Sequence, residues 1–200
     1  MLNRTFIWIA AVATTLFSCT KDPLAGLSDP DSQVFITNRD AQANYKQYKT
    51  FSVVDSVQVI EDDYSTSDLT SLDQDMLIRI VTNMEKLGYK YVPAGSKPDI
   101  GINLARVTNT SINVVSQPVS SYWGYGGGYG YGYPSYYQYY QTSESFWSLS
   151  MLDLKNPDTV TKNLKVVWNA QIRGAGLGNE EYVDQMVDSV FGQSAYLKIN

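Results

Sequence analysis

Leu164-Lys165-Val166-Val167-Trp168-Asn169-Ala170-Gln171-Ile172-Arg173 is the stretch that decides the fold. Leu164, Val166, Trp168, Ala170 and Ile172 alternate with Lys165, Asn169, Gln171 and Arg173. Successive side chains of a strand point to opposite faces, so this pattern is a strand with one buried and one wet face. Upstream, Phe146-Trp147-Ser148-Leu149-Ser150-Met151-Leu152-Asp153-Leu154 reads as a second strand. Asn156-Pro157-Asp158 between them has the composition of a turn, so residues 146–173 are expected to form an antiparallel hairpin.

Downstream, Gly174, Gly176 and Gly178 are spaced as in a phosphate cradle. A parallel βαβ pattern and a Lys-Ser/Thr pair are missing, so a flexible connector is the expectation. Asn179 is placed to cap a last helix, and Glu180 and Glu181 suit its positive end. Val183, Met186, Val187, Val190, Phe191 and Ser194 form that helix's inner face.

Upstream of the hairpin, Pro98-Asp99 opens the alternating run Ile100-Gly101-Ile102-Asn103-Leu104. Arg106 falls on the apolar side of that strand, which predicts a sheet margin or a bulge there. Ile112 and Val114 extend the strand. Leu69, Leu72, Met76, Ile80, Met84 and Leu87 recur at three and four residues, the core stripe of an amphipathic helix. Ser67 and Asp68 supply its start and Gly88 its stop. Tyr89 to Pro93 reads as a short strand leaving it. Tyr48 to Val54 is a half-buried strand, continued in extended form by Val57 and Val59. Glu61-Asp62-Asp63 lacks the spacing and glycine of a calcium loop and reads as a solvated loop. The order predicts an α+β fold: a two-layer, mostly antiparallel sheet with two helices on one face.

Residues 121–141 form a low-complexity loop of tyrosine and glycine with no arginine. Glycine makes any single conformation entropically costly, while tyrosine pairs an apolar ring with a hydrogen-bonding tip. Trp123, Tyr125, Tyr129, Tyr131 and Tyr133 are the candidate ligand-binding residues; a plain hairpin tip is the competing reading.

The chain contains no histidine and one cysteine, Cys19. The commonest general base and the soft metal ligands are therefore scarce, so no catalytic residue, metal or cofactor is assigned. The net charge of −5 becomes −6 if Arg4 leaves with a signal peptide, and no basic cluster is present for nucleic acid.

Met1-Leu2-Asn3-Arg4, then an apolar run from Thr5 to Phe17, then Ser18-Cys19, has the layout of a bacterial lipoprotein signal. A membrane-spanning helix needs about 20 apolar residues, which this run does not supply. The division expected is a signal peptide at 1–18, a lipidated Cys19 with a flexible linker at 19–44, and one domain at 45–200. Cleavage after Ser18 would leave Cys19 as an acylated N-terminus, carrying palmitate-type chains. Lys21-Asp22 partly resembles a surface-export signal, and Pro23 interrupts it.

Tyr48-Lys49-Thr50-Phe51, Leu87-Gly88-Tyr89, Pro98-Asp99-Ile100, the aromatic-glycine insert and Val167-Trp168-Asn169-Ala170 occur in an order that resembles one family. It is the domain-of-unknown-function family 4136, bacterial lipoproteins of Bacteroidetes and Proteobacteria. The resemblance covers roughly residues 45–195; it implies this architecture and a lipoprotein address, and brings no catalytic residues. Three expectations follow for function. The first is a non-enzymatic envelope protein, lipid-anchored at the outer membrane on its periplasmic face or at the cell surface. Its aromatic loop would meet an envelope protein, peptidoglycan or a glycan. The second is a structural spacer without ligand. The third is a carboxylate-based hydrolase of envelope glycans drawing on acids such as Asp99, Glu144 and Asp153, which no spacing pairs.

Overall fold

The sheet is built on β6 (Ile100–Thr108) and β9 (Phe146–Asp153), which pair antiparallel from Ile100↔Asp153 to Val107↔Phe146. The computed structural model describes residues 26–61, 64–108, 113–118, 135–140, 145–157 and 163–199, with backbone alone at 113–118 and 135–140. β10 (Lys165–Arg173) pairs antiparallel with β9, so the hairpin read from the sequence is present. On the other side of β6 lie β2 (Thr50–Val53), along Ile100–Ile102, and β3 (Val57–Glu61), along Ala105–Thr108, both parallel to it. β4 (Tyr64–Asp68) pairs antiparallel with β3, and the two-residue β5 (Lys90–Tyr91) pairs parallel with β2. With two α-helices among the described residues, α1 (Ser71–Lys86) and α2 (Val183–Gly192), the fold is α+β, with a mixed, mostly antiparallel sheet of eight described strands. β7 (Asn113–Pro118) and β8 (Ser135–Tyr140) form a separate two-stranded pair.

Both helices pack on one face. Met76, Ile80 and Met84 of α1 and Met186, Val187 and Val190 of α2 share one buried cluster with Ile102, Leu104, Leu149, Met151, Ala170 and Ile172 of the sheet. Trp168 is buried there against Phe191, ring centroids 5.6 Å apart, and its indole N–H donates to Ser194 Oγ at 3.0 Å. A buried indole needs such a partner, because an unmade hydrogen bond costs about 1–3 kcal/mol.

Several expectations are corrected. Residues 34–39, assigned to the linker, form β1 (Val34–Arg39), which pairs antiparallel with β10 along its whole length. β-branched and aromatic residues within the polar surroundings provide that strand, and β10 gains a partner on its outer side. The domain thus starts well before Tyr45. The acidic stretch at 61–63 ends a strand that returns as β4, which had not been expected; Asp62 and Asp63 lie outside the described residues.

Helix α1 starts later than expected. Its cap is Thr70, whose side chain accepts from Asp73 N while Asp73 accepts from Thr70 N. Ser67 and Asp68 belong to β4 instead. Arg106 is at neither a margin nor a bulge: it sits on central β6 between Val59 and Trp147. Its charge is met by Asp73, 3.2 Å away and fully buried, and by Asp68 at 3.0 Å. The bulge occurs in β10 instead, between Val166 and Trp168, so the strict alternation shifts phase and Val167 is buried where Val166 is half-buried. The Val167 carbonyl accepts from Tyr45 Oη and Asp40 N, fixing the irregularity.

The glycines after β10 are not a slack connector. Gly174 and Gly176 have positive φ. A Cβ at Gly174 would lie 2.5 Å from Ser32 O, and one at Gly176 would lie 2.7 Å from the Tyr182 ring.

The Asp73–Arg106 pair generates a prediction. Arg106→Ala leaves a buried carboxylate without its cation, and is expected to cost about 3 kcal/mol by denaturant titration. Arg106→Lys should recover part of that loss.

Candidate functional site: the carboxylate knot and the far face of the sheet

Two of the three acids named from the sequence, Asp99 and Asp153, come together where β6 begins and β9 ends. Ile100, next to Asp99, pairs with Asp153. Asp99 Oδ2 accepts from Lys49 N at 2.7 Å and Thr50 N at 3.3 Å, and Oδ1 is 3.4 Å from Lys155 Nζ. Asp153 is buried; Oδ2 accepts from Tyr48 Oη at 2.7 Å, and Oδ1 from Lys155 N at 3.0 Å and Asn156 N at 2.9 Å. Asn156 Nδ2 also donates to Oδ2 at 2.9 Å. These bonds tie the turn after β9 to the entry of β2. They occupy both carboxylates as acceptors, so the pair reads as a structural knot. Glu144 lies outside the described residues, as do Cys19, Trp123, Tyr125, Tyr129, Tyr131, Tyr133 and Ile112.

Burial raises the tyrosines around this end above their ordinary value. Tyr48 is raised first by burial and then by its bond to Asp153. Burial likewise raises Tyr89, whose hydroxyl donates to Leu197 O, and pushes Tyr45 up to about 12.

The second feature is the sheet face opposite the helices, which the sequence reading did not single out. Strand register places its residues in rows. Asn103, Ser150, Asn169 and Asn38 make one row across β6, β9, β10 and β1. Ala105, Ser148, Gln171 and Ile36 make the next, and Val107, Phe146, Arg173 and Val34 the third. Ser52, beside Gly101, adds another hydroxyl. Asn38 Nδ2 donates to Asn169 Oδ1 at 3.1 Å. Arg173 donates to Gln171 Oε1 at 2.8 Å and lies over the Phe146 ring, 4.9 Å from its centroid.

The face grades from amides and a hydroxyl in the first row, able both to donate and to accept, to an apolar third row that carries the single cation Arg173. It offers hydrogen bonds and ring contacts rather than a group poised to move a proton at neutral pH. One signal for it was present in the sequence: Ser148 and Ser150 alternate with Leu149 and Met151 inside a long apolar strand. Among the described residues there is no cluster of His, Cys, Asp or Glu suited to hold a metal ion, and no helix long and apolar enough to cross a membrane.

The arrangement of helix stripe, Pro-Asp-led central strand, aromatic insert and Trp strand is that of a known family. The chain belongs to the family described as domain of unknown function DUF4136, whose model matches residues 36–194. A crystal structure of a DUF4136 family protein from Bacteroides thetaiotaomicron VPI-5482 is similar at 27% identity and a TM-score of 0.63, covering 85% of this chain and 100% of that one. A PDZ domain protein from Parabacteroides distasonis ATCC 8503 gives a TM-score of 0.42 at 13% identity, covering 82% of this chain and 36% of that one. No match is found among curated proteins.

The raised tyrosines set an alkaline limit. Their neutral forms belong to the fold, so the stability they contribute is whole below the unfolded tyrosine value near 10 and is lost as pH climbs from there through about 12. Tyrosinate absorbance should therefore show a late fraction rising together with loss of far-UV circular dichroism. Tyr48→Phe, which removes one donor from Asp153, is expected to cost about 2 kcal/mol.

Proposed function

We propose that this chain is a non-enzymatic, lipid-anchored protein of the cell envelope, acylated on Cys19 and held at the outer membrane. Its domain serves as a binding or assembly module that offers its tyrosine-rich segment to a partner in the envelope: another protein, peptidoglycan or a glycan. The observation that carries the reading is the place of the chain's sole cysteine, directly after a short basic start and an apolar run.

The fold supports it through distance. Val34, where β1 begins, stands fifteen residues beyond Cys19, and a chain of that length spans at most about 50 Å. Acylation there would keep the domain close to the bilayer. Several acyl chains together anchor stably, because each buried methylene contributes about 0.8 kcal/mol.

The non-enzymatic part of the reading is supported by the knot. Asp99 and Asp153 are adjacent but spend their oxygens on backbone N–H groups, Tyr48, Asn156 and Lys155. A glycosidase pair instead needs one carboxyl free to protonate a leaving group and another facing the sugar.

Mass spectrometry of the native protein should find residues 1–18 removed and Cys19 acylated. Cys19→Ala should move the protein from the membrane to the soluble fraction. Protease shaving of intact cells then assigns the periplasmic or the outer side. An intact Met1 with an unmodified thiol would end the envelope reading. Crosslinking of wild type against a chain lacking residues 119–134 addresses the partner, and identical crosslinked species would remove the aromatic segment from the function.

A further inference from the structure

β1 is an open edge of the sheet. It pairs with β10 on one side, and no described strand lies on its other side. Hydrogen-bond parity decides which of its backbone groups face outward. Asp40 N donates to Val167 O, one step beyond the pair Arg39↔Trp168. In an antiparallel pair, residues that exchange hydrogen bonds alternate with residues that do not. Val34, Ile36 and Asn38 therefore spend their N–H and C=O groups on β10, and Phe35, Thr37 and Arg39 turn theirs to the open side.

The described edges of the sheet are not alike. β5 is two residues long, and β4 is a run of exposed residues, polar but for the Tyr64 ring, that ends in Asp68. Such edges are guarded against pairing by brevity, charge, proline or a bulge. β1 has none of these guards over residues 34–38: it is six residues long, it follows β10 in unbroken register, and its stretch Val34-Phe35-Ile36-Thr37-Asn38 holds neither charge nor proline. It also exposes two large apolar side chains on one face, Val34 at 53% and Ile36 at 37%.

The geometry points to a second copy of this chain as the partner of this edge, its β1 joined antiparallel across a two-fold axis at Ile36. The pattern is self-complementary in that register. Phe35 and Thr37 of one copy exchange hydrogen bonds with Thr37 and Phe35 of the other, so outward groups meet outward groups. Ile36 faces its own counterpart at a non-hydrogen-bonded position, where Cα atoms lie about 4.5 Å apart, and Val34 faces Asn38. Val34 and Ile36 of both copies then line one apolar strip on the same face of a continuous sheet. No like charges are opposed, since Arg39 lies beyond the uncharged stretch, opposite Gln33. A foreign strand must match both the outward parity and the apolar alternation, whereas a copy related by a two-fold axis carries both. A pairing of this length buries less than the roughly 1,200 Å² of a stable complex, so the association is reversible. It does not depend on the anchor: acylation of Cys19 could fail and the edge would still pair.

The full-length chain with Cys19→Ala tests it, kept in dilute detergent so that the apolar run at 5–17 does not itself associate. Sedimentation equilibrium should show monomer and dimer exchanging between about 10 µM and 1 mM. Thr37→Pro removes an outward N–H that β10 does not use, a place where an edge strand tolerates proline; it should weaken the dimer at least about tenfold with far-UV circular dichroism unchanged. Ile36→Lys sets two ammonium groups against each other across the axis and should weaken it as much. Tyr64→Lys, on the β4 edge, should leave it unchanged. Oxidised Ile36→Cys should run as a disulfide-linked dimer. Asn169→Cys, three strand spacings or at least about 14 Å from its counterpart, should not. A chain that stays monomeric to the top of that range would overturn the proposal. So would a dimer that Ile36→Lys leaves intact, or crosslinking at 169 as complete as at 36. If Thr37→Pro loses its fold, the two Ile36 variants decide: a lost dimer with lysine and a linked dimer with cysteine support the edge, and any other result overturns it.

Discussion

The carboxylate of Asp73 is the point on which the rest of the structure depends. It is fully buried, it accepts from Thr70 N to complete the capping box of α1, and it faces Arg106 on the central strand. Arg106 also holds Asp68 at the end of β4 and lies over Trp147. One charged pair thereby fixes the start of a helix, the end of an edge strand and the middle of the sheet. A buried charge is tolerable only with such partners, and its removal from either side leaves the other uncompensated. The constraint also fixes direction, because the N-terminal end of α1 must lie over β6.

The opposite end of the helix layer is tied differently. Tyr89 Oη donates to Leu197 O, and Ile199 N donates to Leu87 O, so the last residues close over the exit of α1. Arg79 of α1 pairs with Asp184 and Asp188 of α2, and Asn83 Nδ2 adds a bond to Asp188. The Arg79 hydrogen bond holds the Asp188 carboxyl below its ordinary value. These contacts are partly exposed and each contributes little, but they set the register of two helices whose apolar faces alone would permit sliding. With the carboxylate knot at the base of β6 and β9, much of the chain's described acid chemistry is spent on holding elements together.

Legibility in the sequence followed physical scale. Period-2 alternation in β10 and the 3–4 spacing of α1 are repeated signals, and both elements are present, with α1 starting after Leu69 and β10 shifting phase once. Local devices were harder to read. Ser67, Asp68 and Thr70 can each accept from the first N–H groups of a helix, and Thr70 is the cap because Ser67 and Asp68 are paired in β4. The bulge at Val167 is invisible to a rule that assumes strict alternation. β1 was hidden by the polar and proline-containing residues around it, and its stability comes from pairing with β10, a contact more than a hundred residues away in sequence. The far face was missed for a related reason. Asn38, Asn103, Ser150 and Asn169 come from four separate segments, and only strand register makes them a row.

That row explains why the two faces of the sheet differ so much. On the helix side, Ile102, Leu104, Leu149, Met151, Ala170 and Ile172 bury apolar area against α1 and α2, a layer whose specificity comes from shape. On the far side, small hydroxyls and amides occupy the same strands, and a buried hydroxyl gains nothing from shape alone; it requires a hydrogen-bonding partner. Thr108 and Ser145 close one end of the strand pair that carries the buried serines, their hydroxyls 3.4 Å apart beside Val107↔Phe146.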